Sequence, residues 1–217
     1  MTPPFPSGRP LFSLREDALV RADRDRLTVR SRWGPVHVAD DSPLVREALH
    51  RMSLGPVSLE HIPVLSAELD RWRADGSCGP QWSRLKRTLD QLGGCVIPSL
   101  GLHNGAGPIL SLVAVTADAW FDWPDIADTE AVHLARGAAI TDPGGGLVLG
   151  APGARYAVHL HRPPATGIAK LLGAGENTVV GLAERLRVDR AVVADVVAYL
   201  ASADLVLRGR DRAADHG

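Results

Sequence analysis

Two histidines alternate along a predicted strand in the C-terminal half of the sequence. Because successive strand residues point to opposite faces, His159 and His161 would project from one side and could together bind a metal ion. No carboxylate or thiol lies at ligand spacing to complete a coordination set. We therefore expect ordinary strand histidines and predict no metal site.

Other residues that could do chemistry lack the context that the chemistry needs. The run Gly144-Gly145-Gly146 is not followed by the Lys and Ser/Thr of a phosphate-binding loop and does not lead into a helix, so it predicts a hairpin turn. No serine or cysteine stands in a recognisable nucleophile elbow or triad context. The sequence therefore predicts no catalytic residues and no cofactor.

Composition indicates a folded chain that lacks targeting signals. Of 217 residues, 45% are hydrophobic and 23% are charged, and the formal net charge is −1. The two cysteines, Cys78 and Cys95, are too few for a disulfide framework or a thiolate cage. No run approaches the ~18 apolar residues of a membrane helix, and the N-terminus does not resemble a signal peptide. We expect a cytoplasmic protein without membrane contact and with no bulk attraction to nucleic acid.

The sequence repeats itself in degenerate form. The segment 12–15 recurs at 133–136, and Val36-His37-Val38 recurs as Val158-His159-Leu160. Two copies of about a hundred residues predict two small domains of one architecture. The predicted boundaries are an N-terminal arm at 1–10, a first domain at 11–116, a linker at 117–132, a second domain at 133–210 and a tail at 211–217.

Hydrophobic periodicity predicts the same order of elements in each copy. Alternating residues indicate a three-stranded antiparallel meander near 19–20, 27–31 and 36–39 in the first copy and strands near 135–140, 147–149 and 157–161 in the second. Helices are predicted from Pro43, from about Pro63 and at 81–92, and again near 168–172, 178–186 and 189–203. The predicted fold class is α+β, with two tandem winged-helix-like domains, each an antiparallel β-meander followed by three helices.

The last two helices have helix-turn-helix spacing, which two kinds of binding protein could use. A DNA reader needs cations on its last helix, and the second copy offers only Arg190 there, against Asp189, Asp195 and Asp204. The first copy is better supplied, with Arg84, Lys86 and Arg87, but one basic face on a neutral chain is usually a solvated face. Nucleic acid is therefore disfavoured. The alternative is a groove between an open sheet edge and a helix, into which an extended peptide adds as another strand.

The sequence resembles a known family of peptide-recognition domains. The resemblance to the PqqD-type domain, which acts in the maturation of ribosomally synthesised and modified peptides (RiPPs), rests on Phe12-Ser13-Leu14-Arg15, the strands around 27–29 and 36–38, the helix start Ser42-Pro43-Leu44, and helix 81–92 with Gly93-Gly94. The span from about 9 to 208 resembles more specifically the tandem N-terminal region of SagB-type azoline dehydrogenases. In that family an FMN-binding, nitroreductase-like domain follows.

The resemblance implies a leader-peptide-binding partner protein. Such a protein is no enzyme on its own and presents the precursor to a separate azoline dehydrogenase or cyclodehydratase. In the family the leader binds between the third strand and the third helix. In the first copy, which we favour as the binder, those positions are Val36, His37, Val38, Ala39, Trp82, Leu85, Lys86 and Leu89. In the second copy they are Val158, His159, Leu160, Val192, Val196 and Tyr199.

The sequence also departs from that family. It ends at Gly217, where the flavin domain would begin, and it contains no segment of the kind that binds the flavin phosphate. One alternative is therefore the docking subunit of a split FMN-dependent azoline dehydrogenase. Another is a winged-helix transcriptional regulator that binds DNA. The chain could also form a homodimer.

Overall fold

The computed structural model describes residues 7–23, 26–75, 77–103 and 107–209. The predicted tail at 211–217 and most of the predicted N-terminal arm lie outside these residues. Within them the fold is mixed α/β, with antiparallel sheets and six α-helices. None of the described helices is long and apolar enough to cross a membrane.

Eleven strands lie in the described residues, and the first-copy meander is present as predicted. The strands are β1 (Arg9–Leu14), β2 (Leu19–Asp23), β3 (Arg26–Ser31), β4 (Gly34–Val38), β5 (Val96–Gly101), β6 (Pro108–Ala114), β7 (Val132–Leu134), β8 (Ala139–Thr141), β9 (Leu147–Gly150), β10 (Tyr156–Leu160) and β11 (Val206–Arg208).

The helices begin at the residues whose chemistry favours a helix start. Pro43 occupies the first turn of its helix after Ser42, and the Asp189 side chain accepts the Ala191 N–H at 2.8 Å, so both predicted starts are confirmed. The helices are α1 (Pro43–Ser53), α2 (Pro63–Asp75), α3 (Pro80–Leu92), α4 (Ala165–Gly173), α5 (Val179–Leu186) and α6 (Arg190–Ser202).

The order of elements recurs along the chain. Four strands, three helices and one further strand run from β1 to β5, and the same series runs from β7 to β11. In both series the first strand pairs with the strand that follows the third helix, β1 with β5 and β7 with β11. Within the residues that the structure describes, only the first series continues into an additional hairpin strand, β6.

One sheet joins the two copies. Its order is β1-β5-β6-β10-β9-β8, so β6 of the first copy pairs antiparallel with β10 of the second. The other two sheets are the meander β2-β3-β4 and the pair β11-β7. The predicted domains are therefore connected through a continuous hydrogen-bonded ladder as well as through the chain.

Aromatic residues from the predicted linker reinforce this connection. Trp123 lies with its ring centroid 6.4 Å from that of Phe12 in the first copy and 6.0 Å from that of Tyr199 in the second. Phe121 and Trp123 are buried, whereas Trp120 is exposed. Burial of these rings ties both copies to residues 117–132.

Candidate functional site

The groove predicted in the second copy is already filled by a strand of the same chain. β10 pairs with β9 along one edge and with β6 along the other. The His161 N–H donates to the Ile109 carbonyl at 2.9 Å, and the Val115 N–H donates to the Arg155 carbonyl at 3.0 Å. Because β10 has no free edge along these residues, it cannot accept an added peptide in this arrangement.

The helix side of that groove is closed by the hairpin of β5 and β6. Val196 and Tyr199 of α6 are fully buried, whereas Val192 is half-buried. The Tyr199 hydroxyl donates to the Ser99 carbonyl of β5 at 3.0 Å, and burial raises the pKa of this phenol well above its usual range. The predicted second-copy residues Val158 and Leu160 are likewise buried.

In the first copy the corresponding strand keeps one edge without a partner among the described strands. Of these strands β4 pairs with β3 only, and its other edge faces α3. His37 and Ala39 are exposed, Val36 is half-buried and Val38 is buried, so the strand presents a solvent face and a core face. Pro35, which has no N–H to donate, lies near the start of this edge, as is usual for edge strands.

The Gln91 side chain of α3 contacts the edge of β4 directly. Its Nε2 donates to the His37 carbonyl at 2.6 Å, and its Oε1 accepts the Ala39 N–H at 3.2 Å. The carbonyl and N–H of one strand residue point to the same side, so the His37 N–H also points away from β3. No hydrogen bond to that N–H is seen among the described residues.

Most of the α3 residues predicted to bind a peptide lie in the core. Trp82, Leu85 and Leu89 are buried there. The Lys86 ammonium pairs with Asp90 at 2.6 Å. A cavity of about 410 Å³ lies beside the end of β4. Its lining on α3 is polar and consists of Arg84, Arg87, Thr88 and Gln91. The other lining residues are Ala39, Asp40 and Asp41.

The two arginines that line this cavity differ in their charged neighbours. Arg84 forms an ion pair with Asp40 at 2.5 Å. Burial opposes ionisation of Asp40, but hydrogen bonds from Ser42 and the charge of Arg84 lower its pKa overall. Arg87 is exposed, its Nε donates to the Ser83 carbonyl at 3.3 Å, and no carboxylate pairs with it among the described residues. Arg87 therefore gives the groove a cation that is available to a ligand.

The polar residues of this face were not predicted as site residues. Arg84, Thr88 and Gln91 recur at helical spacing beside the apolar stripe of α3, and that recurrence was the available signal. We refer below to the edge of β4 and this face of α3 as the first groove, and to the space between β10 and α6 as the second groove.

The two alternating histidines lie in a separate cleft on the open face of the six-stranded sheet. This cleft has a volume of about 1040 Å³, and both His159 and His161 line it. His161 Nε2 lies 2.9 Å from the Ser111 hydroxyl, which in turn accepts a hydrogen bond from the Ser99 hydroxyl at 2.8 Å. Burial, His159 and Arg162 lower the pKa of His161, which favours its neutral ring.

The structure assembles no metal centre from these residues. Among the described residues, no three His, Cys, Asp or Glu side chains are grouped so that they could hold an ion. Cys78 is exposed and Cys95 is buried, and both are free thiols. The hydroxyl and imidazole chain of the cleft was invisible to sequence reasoning because Ser111 and His161 are 50 residues apart.

No family model matches this chain, and no curated protein sequence resembles it significantly.

Proposed function

We propose that this chain binds an extended peptide as an additional strand in the first groove. In this proposal the peptide is the leader segment of a ribosomally made precursor in the cytoplasm, and the chain presents it to a separate azoline dehydrogenase or cyclodehydratase. Each copy is then a winged-helix domain, with the first as binder and the second as scaffold.

The observation that carries the proposal is the occupancy of the second groove. β4 and β10 hold the same place in the repeated order of elements, and β6 is hydrogen-bonded to the edge of β10 that corresponds to the open edge of β4. The fold thus contains an example of an extended segment added at this edge. The first groove offers the same edge to a segment from another molecule.

The charges of the helices favour a peptide over DNA. α6 packs against β5 and buries most of its length, so it presents little surface to a DNA groove. On α3, Arg84 and Lys86 are paired with Asp40 and Asp90. Arg87, for which no carboxylate partner is seen among the described residues, is then a weak basis for binding phosphate polymers on a chain of net charge −1.

Fluorescence anisotropy with a defined peptide and a duplex tests this assignment. The probe peptide carries residues 108–115 of this chain, which contain the strand that fills the second groove, preceded by two aspartates and a fluorescein label. We expect saturable binding of the probe peptide that changes little with salt, because strand addition uses backbone hydrogen bonds and apolar contacts. Duplex binding that is tight and sequence-selective would contradict the proposal.

The genes that neighbour the gene of this protein allow a test with the physiological peptide. If a short precursor peptide and a cyclodehydratase are encoded there, the leader of that precursor should compete with the probe peptide for the first groove. Stoichiometric FMN retained by the purified chain through gel filtration would instead favour the dehydrogenase alternative.

A further inference from the structure

The side chain of Gln91 reproduces a peptide group at the edge of β4. A carboxamide has the same donor and acceptor as a backbone amide, and Gln91 uses both, toward the His37 carbonyl and the Ala39 N–H. These two main-chain groups are successive hydrogen-bonding positions on one strand edge. Gln91 therefore satisfies two of the groups that a neighbouring strand would otherwise use.

The second groove shows what normally lies at this position. In the repeat, His37 corresponds to His159 and Ala39 to His161. The His161 N–H donates to the main-chain carbonyl of Ile109 at 2.9 Å, as the Ala39 N–H donates to Gln91 Oε1 at 3.2 Å. The Gln91 side chain thus holds the place in the first groove that the backbone of β6 holds in the second.

From this correspondence we propose that Gln91 is an internal competitor of the peptide ligand. This inference rests on the proposed function and adds a residue that controls peptide access to the same site. In the free protein Gln91 covers the open edge and limits unspecific strand pairing. When an extended segment enters, the exposed Gln91 side chain swings away and the peptide backbone takes over its two hydrogen bonds.

The ligand that can displace Gln91 has a defined chemistry. By analogy with the antiparallel register of β6 on β10, where Leu110 and Leu112 lie opposite Leu160 and Val158, apolar residues should face Val38 and Val36. The cavity that contains Arg87 lies beyond Ala39, at the N-terminal end of such a segment. The ligand class is therefore an extended peptide with alternating apolar residues preceded by an acidic side chain.

Removal of the competitor should strengthen binding. Gln91→Ala and Gln91→Met both abolish the two side-chain contacts, and Met nearly preserves the volume of the side chain. We expect either variant to bind the probe peptide about three- to tenfold more tightly than the native chain, the effect of one net hydrogen bond that no longer has to be broken. Gln81→Ala, which changes the other glutamine of α3, is the matched control and should leave the affinity unchanged.

Hydrogen exchange in the free protein provides a second arm that needs no ligand. The Ala39 amide should exchange faster in Gln91→Ala than in the native chain, because its acceptor has been removed. Unchanged exchange at Ala39 would overturn the contact itself.

The outcomes separate this inference from the proposed function. Tighter binding by both Gln91 variants supports competition. If the native chain binds the probe peptide and the Gln91 variants bind it equally well or more weakly, competition is overturned and peptide binding still stands. If neither the native chain nor any variant binds the probe peptide, both the competition and the groove assignment fail.

Discussion

Gln91 donates a 2.6 Å hydrogen bond to the main-chain carbonyl of His37, a residue 54 positions earlier in the chain. This bond orients the edge of β4, because it shows that the main-chain groups of His37 point toward α3 and those of Val38 toward β3. Val38 is also buried. A substitution that blocks strand addition without breaking the meander must therefore be made at His37.

A proline at His37 should abolish binding of the probe peptide and leave the chain folded. It removes the N–H that faces the open edge and that none of the described strands uses. Anisotropy measures the binding, and circular dichroism with a urea titration measures the fold. His159→Pro is the matched change in the second copy, where the same N–H lies in the ladder with β6. We expect it to lower the free energy of unfolding by about 2–4 kcal/mol.

The two proline variants decide which groove is open. If His159→Pro were as stable as the native chain and lost peptide binding while His37→Pro retained it, the roles of the copies would be reversed.

Arg87 should contribute to the affinity for an acidic ligand, and Lys86 should not. Arg87→Glu places a negative charge in the first groove and should weaken binding of the probe peptide about three- to fivefold, the range of an exposed charge pair. Lys86→Glu makes the same charge change one residue away, where the native side chain already pairs with Asp90. Anisotropy at low and moderate salt checks both, and an equal loss in the two variants would exclude a specific role for Arg87.

Asp195 should make the stability of the fold depend on pH. Its carboxylate lies on α6 and accepts the Gly8 N–H at 2.6 Å, so it fastens the start of β1 to the second copy. Burial raises its pKa from 3.8 to about 7; backbone hydrogen bonds from Gly8 and Ser7 oppose this rise, and Asp189 adds to it. Between these two values the folded state holds a proton that the unfolded state releases, so the free energy of unfolding falls as pH rises.

Urea titrations at several pH values measure this effect. The slope from this residue is at most about 1.4 kcal/mol per pH unit and is smaller for a half-buried carboxyl. Asp195→Asn keeps an acceptor for the Gly8 N–H without a charge. We expect this variant to have a flatter pH profile and to be more stable than the native chain near pH ~8. A native profile without this fall between the two pKa values would contradict the assignment.

Tyr199→Phe tests how firmly the hairpin closes the second groove. The variant keeps the buried ring and loses the hydroxyl bond to the Ser99 carbonyl. We expect a loss of about 1 kcal/mol in the free energy of unfolding and no change in affinity for the probe peptide. If the second groove were the binding site, opening it in this way would alter the affinity.

Local chemistry made the helices and strands predictable, whereas the pairing of distant strands was not predictable from the sequence. Pro43 and Asp189 mark helix starts within a few residues of sequence, and period-two alternation marks the strands of the meander. The pairing of β6 with β10 depends on which edges meet, and alternation carries no information about the partner of an edge. Consequently the repeat was visible in the sequence while the filled second groove was not.

The site residues on α3 show a second reason for the difference. Trp82, Leu85 and Leu89 form an apolar stripe that suggests a binding surface, but an apolar stripe is buried first in the core of its own fold. The polar side of the helix then remains for the groove. Only the contact of Gln91 with His37 reveals which part of that side meets the strand.

Amide hydrogen exchange at His37, followed by NMR with and without the probe peptide, tests the central claim most directly. Strand addition predicts that this amide exchanges freely in the unbound chain and slows at least about tenfold at saturating probe peptide. The His159 amide should be protected in both states because β6 already covers it. Saturable binding with unchanged exchange at His37 would contradict strand addition in the first groove.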